Sequence, residues 1–557
     1  MSKAAEKELI DHDKKAVAHL RAQHQRKRLG LVFGAGVSKD LGYPDWEELV
    51  RRIAAREEVG AASILARLSA GGTDAKPVTR TLSSVTQMLF SQYRDKCLAR
   101  HNPADALNFV DEQEIKTKWL RLIHSELYRD CDRAARTKKI ETHPYLPAFL
   151  DIIKRSPLTV TYNFDDSIEQ LLMMSRNDDE QERTRGYEVV DQPNAQFQNE
   201  SSVIYHPNGY LPTVFEDRPS PDVVFSDDSF RDQLIRAATG KYIHLSNHLF
   251  RNTCLLIGLS LEDSTLQSLL RQNAVTNPGN VHYVVHFTPP GVTRDADVEK
   301  AIFRANFESF ALYTLFFNSE QIALLAKLVE MEESAFDVRH GRSKAKFVYY
   351  LIGSVGAGKS TAAGNFRNLR TYDEWVDERK PALARPEAEV KSEEIGGLND
   401  WIAEQFRKKN HALEATREGI HIVDRAPLDP LTFGPPADRP RKAAALLKEI
   451  TDDGQRQIAP GHIIHLDAEV DDLKIRNSLK HKYWDDQYLS ELLTRIDEIY
   501  GGVDKSVVCT RGRDAVAVAR AIARIIFVDD YRPVDVEAQL MAHAKTAGSP
   551  TKADTDA

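Results

Sequence analysis

Short apolar runs that break into glycine or polar residues recur along this chain, and stretches of mixed charge separate them. The first run, LGLVFGAGVSKDLG from Leu29, predicts a strand, a tight loop and then a helix. Residues 1–28 before it predict a helix with a basic end. Residues 47–150 after it are rich in Ala, Leu, Arg and Glu, which predicts a mostly helical insertion.

The pattern changes after residue 157. The segments PLTVTYNFDD, SSVIYHPNGYL, TCLLIGLSLED and VHYVVHFTPPG each place an apolar, β-branched run before polar or glycine residues, and helical stretches separate several of them. Alternating strands and helices predict a mostly parallel sheet covered by helices. Residues 303–335 predict a closing strand and helix, so we expect a Rossmann-like first domain over residues 1–335.

A second domain is predicted after a short basic linker at residues 336–345. KFVYYLIGSVGAGKSTAAGNF predicts another strand, loop and helix, and GIHIVD, GHIIHLD and ARIIFVDD predict further strands. We expect this second parallel sheet over residues 346–535 and a disordered tail over the small, polar residues 536–557. The predicted fold class is therefore α/β, with two parallel sheets in one chain.

Composition narrows the function classes. The 557 residues are 42% hydrophobic and 28% charged with a net charge of −8, which gives no broad attraction to nucleic acid. The four cysteines include no C-x-x-C pair, so neither a zinc ribbon nor a disulfide framework is expected. The charged N-terminus does not fit a signal peptide and no apolar stretch is long enough for a membrane span, so a cytoplasmic protein is predicted.

A phosphate-binding loop is the most specific motif of the second domain. GSVGAGKS, residues 353–360, fits the G-x-x-x-x-G-K-[ST] pattern at every fixed position, between an apolar strand and a small-residue helix. Glycines let backbone N–H groups ring a phosphate, the lysine reaches the terminal phosphates and the serine ligates Mg²⁺. We expect ATP or another nucleotide with Mg²⁺ to bind here, at Gly353, Gly356, Gly358, Lys359, Ser360 and Thr361.

Polar residues at the end of a later strand extend this prediction. Asp424 and Arg425 lie just past an apolar strand in GIHIVDR, and Asp424 is either a Walker-B-like carboxylate that holds Mg²⁺ through water or a cap of the strand end. Further along, Arg476 lies on a predicted basic helix together with Lys480 and Lys482. That helix is either a lid over the phosphates or a solvated surface.

The order of these elements resembles the deoxynucleoside and thymidylate kinase group. The matching pieces are the P-loop, the DRAPLDPLTF stretch and the basic helix, over roughly residues 346–530. The resemblance implies that Arg425 and the cations of the helix contact phosphates. It also offers Glu374 as a weak candidate for the acid–base residue.

The glycine loop near the N-terminus belongs to a longer motif. GAGVSKDLGYPDW, residues 34–46, resembles the G-A-G-x-S…G-x-P-x-F/W opening of sirtuins. TYNFD, YHPNG and GLSLED then resemble the T-x-N-x-D, histidine–glycine and G-x-S segments of that family, in family order, so the resemblance spans about residues 29–330 apart from the helical block. It implies NAD⁺ binding at the carboxyl edge of the sheet. The residues implied to bind it are Gly34, Ala35, Gly36, Ser38, Pro44, Asp45, Asp165, Asn208, Gly258, Ser260 and Asp263.

One position departs from the sirtuin pattern. The family histidine directly precedes the glycine, but here Asn208 precedes Gly209 and the histidine is His206. Two residues along a strand return to the same face, so His206 and Asn208 are expected to point similarly, and either could take the family role. Asp165 either orients its neighbours or caps a helix.

The missing zinc module separates this chain from sirtuin deacetylases. Sirtuin-like domains of microbial defence proteins also lack zinc, carry helical insertions and hydrolyse NAD⁺. The resemblance therefore favours an antiphage NAD⁺ glycohydrolase that releases nicotinamide and ADP-ribose and is gated by or coupled to the P-loop domain. In it, Asn163 would orient a water or a ribose hydroxyl and His206 would accept the proton.

Two other functions stay open. In one, the P-loop domain phosphorylates a nucleoside or nucleotide and the first domain binds NAD⁺ or ADP-ribose without turnover. In the other, both sites only bind and assembly is the output. The family resemblance also implies a homo-oligomer and a phage-derived trigger or a partner protein.

Overall fold

The chain forms two compact units, seen in a computed structural model. One unit comprises Gln23–Asn273 and His282–Glu330, and the other comprises Met1–Ala22, Ala274–Val281 and Met331–Ala557. We name them the seven-stranded unit and the five-stranded unit after their sheets. The structure describes residues 3–61, 82–99, 109–130, 132–175, 186–192, 202–238, 242–292, 294–341, 345–384, 390–479 and 484–545.

The described strands of the seven-stranded unit are all parallel. They are β1 Leu29–Phe33, β2 Thr159–Thr161, β3 Tyr187–Val190, β4 Ser202–Tyr205, β5 Thr253–Ile257, β6 His282–Phe287 and β7 Leu312–Phe317. Their order across the sheet is β3-β4-β2-β1-β5-β6-β7. Every residue of the central strand β1 is buried, as expected for a parallel strand covered on both faces.

Helices surround this sheet in the described part of the unit. They are Ala35–Asp40, Trp46–Ala54, Leu82–Leu98, Phe109–Leu127, Arg133–Glu141, Leu150–Arg155, Ser167–Met174, Asp227–Ala238, Ile243–Arg251, Ser264–Thr276, Ala296–Phe310 and Ser319–Glu330. Apolar residues of the helices and strands form a shared core, in which Val32 of β1, Leu249 of Ile243–Arg251 and Leu269 of Ser264–Thr276 are members.

The five-stranded unit contains a second parallel sheet, in the order β12-β11-β8-β10-β9. Its strands are β8 Lys346–Ile352, β9 Arg370–Tyr372, β10 Gly419–Asp424, β11 His462–Asp467 and β12 Lys505–Cys509. Most of the helix Lys3–Gln25 belongs to this unit. Its other described α-helices are Glu333–His340, Lys359–Gly364, Ser392–Glu414, Arg439–Ile450, Val470–Ser478, Asp486–Tyr500, Ala515–Phe527 and Val536–Lys545. The predicted α/β class with two parallel sheets is confirmed.

Two predictions in the last third of the chain were wrong. ARIIFVDD was predicted as a strand, but its apolar residues end the helix Ala515–Phe527, whose start is capped by the Asp514 side chain accepting from Ala517 N. The β-branched run suggested a strand, yet the longer spacing of apolar residues buries a helix face. The predicted disordered tail begins with the helix Val536–Lys545, which buries Val536 and Leu540, whereas residues 546–557 lie outside the described residues.

The N-terminal helix belongs mainly to the five-stranded unit. Sequence reasoning placed residues 1–28 in the first domain, but Met1–Ala22 groups with the P-loop residues. Arg21 is fully buried there, and its guanidinium donates to the buried carboxylate of Glu418 at 2.5–3.1 Å. The guanidinium also lies 4.0 Å from the ring of Phe336, in the helix Glu333–His340, within the segment predicted as a linker.

None of the helices in the described ranges is both long and apolar enough to cross a membrane.

Candidate functional site

The segments that resemble sirtuin motifs follow four neighbouring strands of the seven-stranded sheet. Gly34 follows β1, Asn163 follows β2, His206 follows β4 and Gly258 follows β5. The strands are parallel, so the four segments meet at one edge of the sheet, and Gly34 N donates to Ile257 O at 2.9 Å there. Open parallel sheets bind ligands at this edge.

The loops after β1 and β5 touch each other at this edge. A Cβ atom on Gly34 would lie 2.5 Å from the carbonyl oxygen of Gly258, and one on Gly36 would lie 2.9 Å from the Cα atom of Gly258. Gly258 also has φ +72°, which L-residues with side chains rarely adopt. These glycines therefore permit the contact between the loops, while Ala35, Gly36 and Ser260 are exposed.

Asn163 is held by almost every polar atom that it has. Its backbone N–H donates to Thr161 Oγ1 at 3.2 Å, and its carbonyl oxygen lies 2.9 Å from His206 Nδ1. Its Nδ2 donates to Gly34 O at 2.9 Å and to Ser38 Oγ at 2.7 Å. Of the polar atoms of Asn163, only Oδ1 makes no hydrogen bond to a described residue. The half-buried side chain therefore offers one acceptor of fixed orientation.

Ser38 connects Asn163 to Asp165. Ser38 was predicted to bind the pyrophosphate, but it is buried and its hydroxyl donates to Asp165 Oδ2 at 2.6 Å. The other oxygen of Asp165 accepts from Ser167 N at 3.1 Å at the start of the helix Ser167–Met174. Asp165 therefore both orients Ser38 and caps that helix, and burial raises its pKa.

His206 was predicted as the proton acceptor, and its geometry does not support that role. Its side chain is fully buried, with Nδ1 2.9 Å from Asn163 O and Nε2 2.7 Å from Oε1 of the buried Glu169. A carbonyl oxygen only accepts hydrogen bonds, so Nδ1 must carry a hydrogen. The proton between Nε2 and Glu169 Oε1 is shared by these two atoms. Burial lowers the pKa of His206, but the Glu169 charge outweighs burial and raises it.

The expectation that His206 and Asn208 point similarly also fails, because β4 ends at Tyr205. Gly209 N donates to His206 O at 3.1 Å, so these residues form a turn and the alternation of a strand does not apply. Asn208 is buried too, with Nδ2 donating to Tyr162 O at 3.3 Å and Oδ1 accepting from Gln233 at 3.0 Å. Both candidates for the family histidine role are therefore committed to internal hydrogen bonds.

Two predicted binding carboxylates cap helices instead of reaching the loops. Asp45 is exposed, and its Oδ1 accepts from Glu48 N at 3.0 Å at the start of Trp46–Ala54, just after the half-buried Pro44. Asp263 Oδ1 accepts from Leu266 N at 2.7 Å at the start of Ser264–Thr276. Burial raises the pKa of Asp263.

The phosphate loop of the five-stranded unit connects β8 to the helix Lys359–Gly364. Gly353, Gly356 and Gly358 have φ between +87° and +144°, which explains why the motif needs glycine. Lys359 was predicted to reach the phosphates, and its Nζ donates to the loop carbonyls of Gly353 at 2.7 Å and Ser354 at 3.0 Å. Burial, with the nearby Arg425 charge, lowers the pKa of Lys359 to about 8.

Ser360 and Asp424 lie together, as a magnesium site at the phosphate loop would need. Ser360 Oγ donates to Asp424 Oδ2 at 2.7 Å, while Oδ1 of Asp424 is buried without a hydrogen-bond partner among the described residues. A hydroxyl and a carboxylate are oxygen donors of the kind that Mg²⁺ prefers. The residues therefore fit the ion, which would neutralise phosphate charge when bound. The neighbouring Thr361 is exposed and lines the same cleft.

Arg425 lies between two carboxylates next to the phosphate loop. Its Nε and Nη2 donate to Glu374 Oε1 at 2.7 Å, and its Nη1 lies 3.4 Å from Asp429 Oδ2. Burial would raise the pKa of Glu374, but the charges of Arg425 and Lys359 lower it. Glu374 therefore stays ionised, and Arg425 can reach a phosphate only by sharing its guanidinium with these partners.

Sequence reasoning missed Lys409 in this site. It is buried, and its Nζ donates to Asp424 O at 2.8 Å and to Glu374 O at 3.1 Å, so it joins the two segments that carry these carboxylates. Burial lowers its pKa to about 8. Its only signal was a basic run inside the helix Ser392–Glu414, which is indistinguishable from a solvated helix surface.

Arg476 of the predicted lid also contacts the phosphate loop. Its Nη1 lies 3.4 Å from Ala357 O, and its guanidinium donates to Thr510 O at 2.9 Å and Thr510 Oγ1 at 3.0 Å. Lys480 and Lys482 lie outside the described residues.

A cleft of about 270 Å³ continues from the phosphate loop into a partly apolar chamber. Glu374 and Arg425 lie on its wall together with Lys359 and Ser360. The remaining wall is mainly aromatic and aliphatic, with Trp375, Leu398, Ile402, Phe406, Phe433 and Tyr488. A phosphate-binding loop therefore opens directly onto space for a second, flatter and less polar molecule.

Comparison with known families gives a match to part of the chain. A sequence model of the SIR2-like domain matches residues 157–309, a range that includes Asn163, His206 and Gly258. This part of the chain, most of which lies in the seven-stranded unit, is therefore similar to SIR2-like domains. A search of curated proteins gave no match.

Among solved structures, this chain is similar to a deoxyadenosine kinase and to the NadR protein. Deoxyadenosine kinase from M. mycoides, with products dCMP and dCDP bound, is 14% identical over 32% of this chain and 96% of that chain, with a TM-score of 0.25. The same enzyme with bound dATP is 14% identical over 36% of this chain and 99% of that chain, with a TM-score of 0.24. The NadR protein in complex with NAD and AMP-PNP is 14% identical over 67% of this chain and 88% of that chain, with a TM-score of 0.25. Similarities this low say nothing about the substrates of this chain.

Proposed function

We propose that the SIR2-like domain cleaves NAD⁺ into nicotinamide and ADP-ribose. The observation that supports this most is the environment of Asn163, whose backbone and Nδ2 groups all have partners in the fold while Oδ1 does not. A fixed acceptor at the carboxyl edge of a parallel sheet is suited to hold a water or a ribose hydroxyl of a bound dinucleotide.

The chemistry needs little more than this. The bond between the ribose anomeric carbon and the pyridinium nitrogen breaks, and its electron pair neutralises the positive charge of the ring, so nicotinamide leaves without an added proton. A water oxygen forms the new bond to the anomeric carbon and loses a proton to the solvent. The site has to orient that water and exclude the others.

The five-stranded unit would gate this activity by binding ATP or another nucleotide with Mg²⁺. The contact of Lys359 Nζ with its own loop carbonyls supports this, because a bound phosphate has to draw the ammonium away from them. A role as an antiphage effector with an infection-derived trigger follows from the family resemblance.

The test is mass spectrometry of NAD⁺ incubated with the full chain, with and without a panel of nucleotides. Nicotinamide and ADP-ribose should appear in equal amounts, and Asn163→Ala should abolish them at an unchanged melting temperature. Asn247→Ala is the matched control, since Asn247 is exposed on the helix Ile243–Arg251 of the same unit. Cleavage by Asn163→Ala at the parental rate would show that the assignment is wrong.

A second candidate is a nucleoside or nucleotide kinase, with NAD⁺ or ADP-ribose bound but not cleaved by the SIR2-like domain. The observation that favours it is the ionised Glu374 on the wall of the cleft, paired with Arg425 beside the phosphate loop. Such a carboxylate can accept the proton of an attacking hydroxyl. Transfer of labelled phosphate from ATP to a nucleoside panel, lost in Lys359→Ala, would support this function.

A further inference from the structure

The side chains behind Asn163 suggest how the proposed cleavage would proceed without a histidine base. Neither Glu169 nor His206 is accessible at the carboxyl edge of the sheet, since their side chains are 1% and 0% exposed. The one contact that they make with the candidate site runs through the backbone, from His206 Nδ1 to Asn163 O at 2.9 Å.

Neither ring nitrogen of His206 is free to act as a base. The hydrogen on Nδ1 is donated to the Asn163 carbonyl, and Nε2 lies 2.7 Å from Glu169 Oε1. Whether the proton of that second contact sits on nitrogen or on oxygen, neither atom offers a lone pair to a substrate. Glu169 Oε2 is buried without a hydrogen-bond partner among the described residues. The hydrogen bond with His206 therefore has to offset the free-energy cost of burying this carboxylate.

We infer that Glu169 and His206 are positioning residues that hold the peptide of Asn163, and that the attacking water loses its proton to solvent rather than to His206. The inference rests on the proposed NAD⁺ cleavage and deepens it. The Glu169–His206 pair fixes the Asn163 backbone, and the Ser38–Asp165 pair fixes its amide, so Oδ1 is oriented from two sides.

The charged and titratable groups facing His206 are Glu169, Asp165 and Tyr210, and Asp166 acts on Glu169. All of them lie in the same buried network, and burial raises the pKa of Glu169. The cleavage rate should therefore show no free-imidazole titration near the reference pKa of about 6.5.

Three variants separate positioning from proton transfer. In Glu169→Gln the amide can donate to Nε2 of a neutral His206, which keeps Nδ1–H on Asn163 O, so kcat should stay within about twofold. In Glu169→Leu the pair is lost, and misplacement of Asn163 should lower kcat by about 100-fold. His206→Gln, which can donate but cannot act as a base, should keep more than a tenth of the parental kcat.

A histidine base makes the opposite prediction. Replacing an orienting carboxylate by its amide in a histidine-base system lowers kcat by about 10⁴-fold. Loss of that order in Glu169→Gln, or a base-limb titration near pH 6.5 that disappears in His206→Gln, would overturn the inference.

Affinity for ADP-ribose, measured by calorimetry on the same variants, keeps the two proposals distinguishable. If the parental chain cleaves no NAD⁺ with any nucleotide, the proposed function fails, and the positioning inference is then decided by affinity alone. Weaker binding in Glu169→Leu, with parental binding in Glu169→Gln, supports the pair as a positioning device. Equal binding by all three variants contradicts it.

Discussion

The buried ion pair between Arg21 and Glu418 should control the stability of the five-stranded unit. The Arg21 side chain is 0% exposed and that of Glu418 is 1% exposed, and three hydrogen bonds of 2.5–3.1 Å connect them. Arg21→Met keeps an apolar stem over the Phe336 ring but removes the cation. The buried Glu418 carboxylate then loses the neighbouring guanidinium charge.

The magnitude follows from the loss of the Arg21 charge beside a buried carboxylate. Removing one member of a buried pair lowers the free energy of unfolding by about 3–5 kcal/mol. In a unit of this size the melting temperature should fall by about 10 °C. Hydrogen exchange followed by mass spectrometry on peptides of β8 and β10 reports this unit separately from the seven-stranded unit, whose exchange should not change.

The loss should depend on pH in a defined direction. Burial raises the pKa of Glu418, and Arg21 partly offsets this, so in Arg21→Met the pKa rises further. A carboxylate whose pKa is raised in the folded state favours folding when protonated, and this contribution is lost as pH rises through the folded pKa. The deficit of Arg21→Met should therefore be full at about pH 8 and shrink toward about pH 5.

The double variant Arg21→Met/Glu418→Leu is the control. It removes both charges, so it should recover most of the stability that Arg21→Met loses. If Arg21→Met lowers the free energy of unfolding by less than about 1 kcal/mol, or if its deficit does not change with pH, then the pair is not buried as described and the reasoning fails.

Three further predictions concern the candidate sites. Ser38→Ala removes one of the two hydrogen bonds that hold the Asn163 amide, so it should lower NAD⁺ cleavage by about 100-fold; nicotinamide release at the parental rate would contradict the role of Ser38. The affinity for ATP with Mg²⁺ should fall as pH rises through about 8, because neutral Lys359 has to take up a proton to meet the phosphates; calorimetry should show no such fall in Lys359→Arg. Glu374→Gln should lower the rate of phosphate transfer by about 100-fold or more without weakening ATP binding. A parental transfer rate would exclude Glu374 as the base.

The strands that carry the candidate sites could be predicted because each is a short buried run that ends in glycine or polar residues. β1, β2, β5, β8 and β10 all lie where such runs occur. A parallel sheet brings the carboxyl ends of its strands to one edge, so linear motifs also indicated which segments meet. The helix Ala515–Phe527 was mistaken for a strand in part, since a β-branched run buried in a helix has the composition of a strand.

The partners of buried charges could not be predicted. Arg21 and Glu418 are almost four hundred positions apart, and nothing local distinguishes either from a solvated helix or loop residue. Lys409 and Glu169 are similar cases, because a charged residue becomes a buried one only when an opposite charge or a carbonyl group arrives from a distant segment. For the same reason the motif located His206 but did not reveal its contact with the buried Glu169.

The two sites differ in how much has to change when a ligand binds. Asn163 is held by four hydrogen bonds that leave Oδ1 available, so a dinucleotide meets a group that is already oriented. At the phosphate loop, Lys359 is bonded to the carbonyls of Gly353 and Ser354, and these charge-assisted bonds have to break before the ammonium meets a phosphate. A site whose competent conformation is only partly populated binds with an affinity reduced by that fraction, and binding shifts the population. The phosphate loop is therefore the proposed site whose conformation must respond to a ligand, which is the property that the proposed gate requires and that a prearranged site for NAD⁺ would not need.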